Sequence, residues 1–183
     1  MHKLKPITPL GGDTPRLDQI GTLSITEVVG QALASITARE GQLGQMQEAL
    51  ALPLPGVGKS SAQGDFSAFW IGPDQWMISA DHDQYELLAA ELKHMVGDAA
   101  SVVEQSDGWC RFDVSGAALC DLFERLSNAP VRSMARGEVI RGTIEHLGAF
   151  LWRLADDHMA VIAPRSSAAS LHHALVAVAR SVA

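Results

Sequence analysis

Few residues of this chain have types and spacing that could do chemistry. Gly58-Lys59-Ser60 ends like a phosphate-binding loop, in which backbone N–H groups cradle phosphates and a lysine reaches the outer ones. Such a loop needs a first glycine five residues earlier, a strand before it and a helix after it. Pro53 stands at that position, so the tripeptide reads as a solvated loop. None of the seven histidines sits in HExxH or beside a cysteine at zinc spacing. His172 and His173 are neighbours on a predicted helix and point about 100° apart, and His82 and His94 lie near opposite ends of another. There is no GxSxG to present a serine. Cys110 falls on a predicted strand and Cys120 on a helix beside Leu119, where a thiol acts as a small hydrophobe. Asp156-Asp157 reads as a turn pair, and no GxGxxG marks a dinucleotide site. The residues therefore predict no catalytic, cofactor-binding or metal-ligating set.

The tryptophans say more. The chain has four, against one tyrosine. Trp70 and Trp76 bracket the turn Gly72-Pro73-Asp74, which makes a bulky, rigid hairpin tip. Tryptophan anchors cores, and it also anchors interfaces. Arg132 and Arg136 flank an irregular stretch and could pair with acids on a partner. Trp70, Pro73, Trp76, Arg132 and Arg136 are thus the candidate partner-contact residues.

The elements that must position these residues follow from periodicity. Residues 1–20, rich in Pro, Gly and charge, read as an extended arm. Leu23–Val29 and Leu33–Arg39 read as strands, and 41–51 as a helix ended by Pro53 and Pro55. Gly56–Asp65 reads as a flexible loop. Phe66–Ile71 and Gln75–Ala80 form a hairpin, and Asp81 caps a helix to Val96. Val102–Gln105 and Cys110–Val114 are strands, and a helix opens at Ser115 or Gly116. Three short strands, Val139–His146, Ala149–Leu154 and His158–Ala163, precede a last helix, Ser166–Arg180. Trp70 and Trp152 are 82 residues apart, as are Met77 and Met159, so the second half echoes the first. The pattern predicts an α+β fold of two related lobes, 21–98 and 99–183, each an antiparallel sheet with helices.

Bulk properties exclude some functions. Apolar residues make up 47% of the 183, enough for a core. The net charge is −7 and only 14 Lys and Arg are dispersed along the chain, so nucleic acid is not an expected partner. Two isolated cysteines suit a reducing compartment. Met1-His2-Lys3-Leu4-Lys5-Pro6 lacks the apolar stretch of a secretory signal, and no run of 18 apolar residues predicts a membrane span. A cytoplasmic protein is expected.

An ordered set of segments resembles the gamma subunits of heterotetrameric sarcosine oxidase. Trp70-Ile71-Gly72-Pro73-Asp74-Gln75-Trp76-Met77-Ile78 looks like that family's W-x-G-P-D-x-W-L segment, with Met77 in place of the commoner leucine. The flanks agree: Ala34 to Gly41, Leu52-Pro53-Leu54-Pro55-Gly56, Val103 to Ser106, Ser115-Gly116-Ala117, Leu126 to Pro130, Leu151-Trp152-Arg153 and Pro164-Arg165-Ser166. The match spans about residues 20–180. The resemblance implies a fold like the folate-binding region of the glycine-cleavage aminomethyltransferase. It implies alpha, beta and delta partner subunits, and a complex that demethylates sarcosine to glycine. That complex uses FAD, FMN, NAD and zinc and passes the one-carbon unit to tetrahydrofolate. It implies no catalytic residue in this chain. Two other readings stay open. One is a homo-oligomeric structural protein. The other is a stand-alone folate-binding, aminomethyltransferase-like protein, which needs an acid to hold the pterin: Glu27, Glu104 or Asp113.

Overall fold

Apolar residues alternating with polar ones make strands with one face for a core, and apolar residues three and four apart make helices that cover it. The computed structural model, which describes residues 5–50 and 52–183, shows both patterns used twice. Among the described residues there are eleven strands and four α-helices. In chain order they are β1 (Leu17–Ile20), β2 (Leu23–Val28), β3 (Gln31–Ala38), α1 (Leu43–Ala49), β4 (Ser60–Gln63), β5 (Phe66–Gly72) and β6 (Gln75–Asp81). Then follow α2 (Leu88–Val96), β7 (Ala100–Glu104), β8 (Trp109–Gly116), α3 (Leu119–Leu126), β9 (Val139–Ile144), β10 (Leu147–Ala155), β11 (His158–Pro164) and α4 (Ala168–Val182).

The fold is α+β, with two antiparallel sheets. The chain divides into two units. One holds the residues through Val29, Asp107–Arg136 and Ile140–Ala183. Its sheet runs β1-β2-β8-β11-β10-β9. Leu23 and Ile25 on β2, Cys110, Phe112 and Val114 on β8, and Met159, Val161 and Ala163 on β11 alternate onto one face. There they meet Leu119, Leu122, Phe123 and Leu126 of α3 and Leu171, Ala174, Leu175 and Ala179 of α4. The other unit holds Gly30–Ser106 and Gly137–Val139. Its sheet runs β4-β5-β6-β3-β7. Ala32, Ala34 and Ile36 of β3 and Trp76, Ile78 and Ala80 of β6 meet Met46 of α1 and Leu88, Leu92 and Val96 of α2.

The two sheets have matching order. β4, β5, β6, β3 and β7 correspond to β9, β10, β11, β8 and β2. The lobes are thus related in topology, but their boundaries differ from the expected division at residue 98. β2 pairs with β8 over Leu23↔Gly116 to Val28↔Arg111, and β7 pairs with β3. Each unit therefore takes a strand from the far side of the expected boundary. The 82-residue echo also slips. Trp70 packs on the helix side of its sheet whereas Trp152 lies outside the corresponding core; Met77 lies outside its core and Met159 inside. The helix-side residues of β6 and β11 correspond at an offset of 83, as in Trp76 and Met159. A slip of one residue turns every strand side chain to the other face.

The expected arm is partly built into the sheet, since Leu17–Ile20 form β1; residues 1–4 lie outside the described residues. The expected loop at 56–65 contains β4, paired with β5 from Ser60↔Phe69 to Gln63↔Phe66. Asp81 does not cap α2. Its Oδ1, seven residues before the helix starts, accepts from the N–H groups of Asp83 and Gln84 and closes a turn. Gly116 has no substitute: its φ is 131°, and a Cβ there would lie 1.9 Å from the Thr22 carbonyl oxygen.

Candidate functional site

The five candidate contact residues separate by environment. In the β5–β6 hairpin, Trp70 lies directly opposite Trp76, so both rings point to the same side of the sheet. That side is the core. Trp76 is 6% exposed and its Nε1–H donates to the Pro55 carbonyl oxygen at 2.8 Å. It pins the proline-rich segment after α1 onto the sheet, and is not the surface anchor that its turn-flanking position suggested. Trp70 is half-buried against the same core, and its backbone N–H donates to the Lys59 carbonyl at 3.1 Å. The turn itself is exposed at Pro73, Asp74 and Gln75. Asp74 has φ 53° and its carbonyl accepts from the Ala38 N–H at 3.0 Å, so the tip is fixed by β3.

Arg132 is exposed but engaged within its own chain. Its guanidinium grips Glu124 at 2.6 and 2.8 Å and reaches Asp121 at 2.5 Å, two acids three apart on α3. Its hydrogen bonds to Glu124 and then to Asp121 push its already high pKa higher. The pairing closes the irregular stretch after α3 onto that helix, a local role where a partner contact was expected. Arg136 is exposed. On the same helix, Arg125 donates to Ser181 Oγ at 2.9 Å and to the Ser181 carbonyl oxygen at 3.3 Å, lining a shallow polar cleft between α3 and the end of α4.

Each of the three acids that could hold a pterin already accepts hydrogen bonds from the chain's own donors. Glu27 is 2% exposed and accepts from the backbone N–H groups of Leu10 at 2.8 Å and Arg16 at 3.0 Å. Glu104 accepts from the N–H groups of Gln105 and Ser106 and from Ser106 Oγ. Burial works to raise its pKa, but hydrogen bonds from Ser106, Gln105 and Ala89 outweigh it and the net shift is downward. Asp113 forms a two-pronged pair with Arg111 at 2.6 and 2.8 Å and lies 3.1 Å from His158 Nε2. The Arg111 guanidinium stacks 5.7 Å from the Trp152 ring. These residues project from the sheet face opposite α3 and α4, and sequence reasoning did not bring them together. The signal lay in strand alternation: Arg111, Asp113 and Ser115 share one face of β8, Phe112 and Val114 the other.

The remaining motifs are structural. Lys59 of the Gly-Lys-Ser tripeptide pairs with Glu138 at 2.6 Å, and Ser60 Oγ donates to the Gly137 carbonyl at 2.9 Å. The tripeptide clips β4 to residues 137–139. Burial pushes the Cys110 thiol up to about 11, and its Sγ sits 3.7 Å from the Pro164 carbonyl. Such a thiol is inert. Among the described residues no three His, Cys, Asp or Glu side chains gather as a metal site. None of their helices is long and apolar enough to cross a membrane.

No protein-family model matches the sequence, and no curated protein matches it. Solved structures do. The chain shares its fold with a chain of heterotetrameric sarcosine oxidase. That structure, from Corynebacterium sp. U-96 in complex with pyrrole 2-carboxylate, superposes with a TM-score of 0.79 at 17% identity, covering 91% of this chain and 88% of the other. The glycine cleavage system aminomethyltransferase T from Bartonella henselae superposes with a TM-score of 0.68 at 14% identity, covering 87% of this chain. This chain spans 46% of that one. These likenesses establish the fold.

Proposed function

We propose that the chain is a non-catalytic subunit, gamma-like, of a heterotetrameric sarcosine oxidase. It assembles with alpha, beta and delta chains that carry the chemistry of sarcosine demethylation. The observation that carries this reading is the near end-to-end match, 88% of the other chain at a TM-score of 0.79, to a component of such a complex. The state of the acids supports it. Glu27, Glu104 and Asp113 already hold intramolecular donors, which favours a structural role for each over a grip on a pterin. The chain carries no GxGxxG dinucleotide motif of its own. On this reading FAD, FMN, NAD, zinc and tetrahydrofolate belong to other chains of the complex, which works in the cytoplasm. The candidate partner contacts are the exposed hairpin tip at Pro73 and the accessible edge of Trp70 in one unit and, taken separately, Arg136 in the other. Trp76 holds the hairpin in shape from the core of its unit, and Arg132 ties the stretch after α3 to that helix.

Co-expression of a tagged form with alpha, beta and delta chains tests the reading. The expected result is one complex on gel filtration that oxidises sarcosine, with this chain in equimolar amount. A chain that elutes alone while the other three assemble and turn over sarcosine overturns it. The fold shared with aminomethyltransferase T favours a second reading, a stand-alone folate-binding protein. Calorimetric titration with tetrahydrofolate separates the two, since saturable binding by the isolated chain supports the second and no heat supports the first.

A further inference from the structure

Among the described residues β7 ends its sheet and is bonded on one side only, to β3. In the other unit the corresponding strand, β2, has β1 laid antiparallel along its second side. The place that β1 fills beside β2 is open beside β7. The ladder fixes which backbone groups face it. Gln105 N–H donates to the Leu33 carbonyl oxygen and Arg39 N–H to the Ala99 carbonyl oxygen, at 2.8 and 2.9 Å. Alternate residues of an antiparallel strand turn N–H and C=O to opposite sides. Ala99, Ser101, Val103 and Gln105 therefore face β3, and Ala100, Val102 and Glu104 face outward. Accordingly, the Ala100 carbonyl accepts from Lys93 Nζ of α2, at 3.1 Å. The other sheet edges are guarded by short polar strands or by charge. β4 is Ser60-Ser61-Ala62-Gln63, β1 carries the Arg16–Asp18 pair at its start, and β9 carries Arg141. β7 holds two adjacent β-branched residues, Val102 and Val103, and Val103 is 55% exposed.

We propose that β7 is where two copies of this chain join, antiparallel and about a two-fold axis through Val102. That register sets Val102 opposite its own copy and Ala100 opposite Glu104 of the copy. It is the register that pairs all three outward residues with one another, and each pair exchanges two backbone hydrogen bonds. Ser101 falls opposite Val103 of the copy and helps to cover the exposed valine. The charges agree with it. Ala34 and Ile36, the β3 partners of Glu104 and Val102, belong to the core on the helix side, so Glu104 projects toward the side that α2 covers. Glu104 of each copy thus arrives beside Lys93 of the other, at the Ala100 carbonyl where the ammonium already stands. Two-fold symmetry makes that ion pair twice. The edge is short, so the association is a weak one. This pairing goes beyond the subunit reading and does not depend on it.

Sedimentation of the full chain across about 1 µM to 1 mM, with amide exchange at each concentration, tests the pairing. The mass is expected to rise from monomer to dimer. The Val102 and Glu104 amides are expected to exchange about ten-fold more slowly at the dimer end, while those of β4 do not change. Val102→Pro removes an outward N–H without touching the ladder to β3, a change that edge strands tolerate, and is expected to stay monomeric about ten-fold above the wild-type midpoint. Lys93→Gln is expected to weaken the dimer several-fold and to flatten its salt dependence. Should Val102→Pro not fold, the wild-type amides decide alone. A chain that stays monomeric throughout overturns the inference, as does a dimer whose Val102 and Glu104 amides remain unprotected, or a proline variant that dimerises like wild type. Protection of those amides only in the presence of other chains also overturns it, since a different protein then supplies the strand.

Discussion

Trp70 and Trp76 oppose each other across the β5–β6 hairpin, yet only Trp76 is drawn fully into the core, its indole N–H held by the Pro55 carbonyl. Their substitutions should separate. Trp76→Ala is expected to cost about 3–5 kcal/mol of stability. Trp76→Phe should cost about 1–3 kcal/mol, because it keeps the ring but leaves the Pro55 carbonyl without a donor. Trp70→Ala, at a half-buried ring, should lose clearly less stability than Trp76→Ala and lose capture of the partner chains. Urea unfolding together with a pull-down reads both, and equal melting losses at the two positions would count against the assignment.

Gly116 ends β8 with a φ that side chains rarely adopt, pressed against Thr22. Gly116→Ala is expected to cost more than about 2 kcal/mol, since both backbone strain and the clash oppose it. Gly44→Ala, where a Cβ meets nothing within 4 Å, should be neutral or slightly stabilising. Chemical denaturation of the two variants side by side makes the comparison.

Glu27 fastens the segment before β1 to β2 through the Leu10 and Arg16 N–H groups. Glu27→Ala is expected to cost about 1–3 kcal/mol, as buried donors lose their acceptor. Amide exchange at Leu10 and Arg16 should accelerate far more than exchange in β11. Unchanged protection at both amides would refute the role.

Asp18 accepts from Arg16 at 2.9 and 3.0 Å and lies 2.7 Å from His172 Nε2, so it links β1 to α4. The Arg16 hydrogen bonds lower its pKa most; burial opposes them and His172 adds to them. A carboxyl with a depressed folded pKa stabilises the fold above its unfolded value of about 3.9, and that stability is lost as pH falls through the folded value. Asp18→Asn should therefore be less stable than wild type at pH 6, with the gap closing below about pH 4. A gap independent of pH would show that the charge on Asp18 is not what matters.

Much of the fold was legible from residue order alone, because its helices and hairpins announce themselves locally. Leu119, Leu122, Phe123 and Leu126 specify α3, and Gly72-Pro73-Asp74 specifies the turn between β5 and β6. Membership of the two sheets was not legible. Nothing near β2 says that its partner is β8, eighty residues on, and nothing near β7 says that it returns to β3. β4 was hidden because Ser60–Gln63 is polar and lies at a sheet edge, with no apolar alternation to reveal it. The candidate site suffered from the same blindness to faces. A tryptophan beside a tight turn looks exposed, but cross-strand pairing turned Trp76 inward. Arg132 looked available for a partner until α3 placed Asp121 and Glu124 within its reach. Arg111, Asp113 and His158 meet only because β8 and β11 lie side by side.

The interrupted composition of one unit bears on how the chain is made. A ribosome delivers β1 and β2 first, then all of the Gly30–Ser106 unit, and only afterwards β8, the neighbour that β2 needs. The inserted unit lacks only the residues 137–139 that clip β4, so it is positioned to fold during synthesis. β2 meanwhile waits with an unpaired edge and its apolar face, Leu23 and Ile25, uncovered. Such a nascent chain is slow to mature and exposed to wrong strand partners. A circular permutant that begins at Gly30 and rejoins Ala183 to the original N-terminus places β2 after α4, much as β7 follows α2. It makes both halves contiguous in synthesis but for residues 137–139.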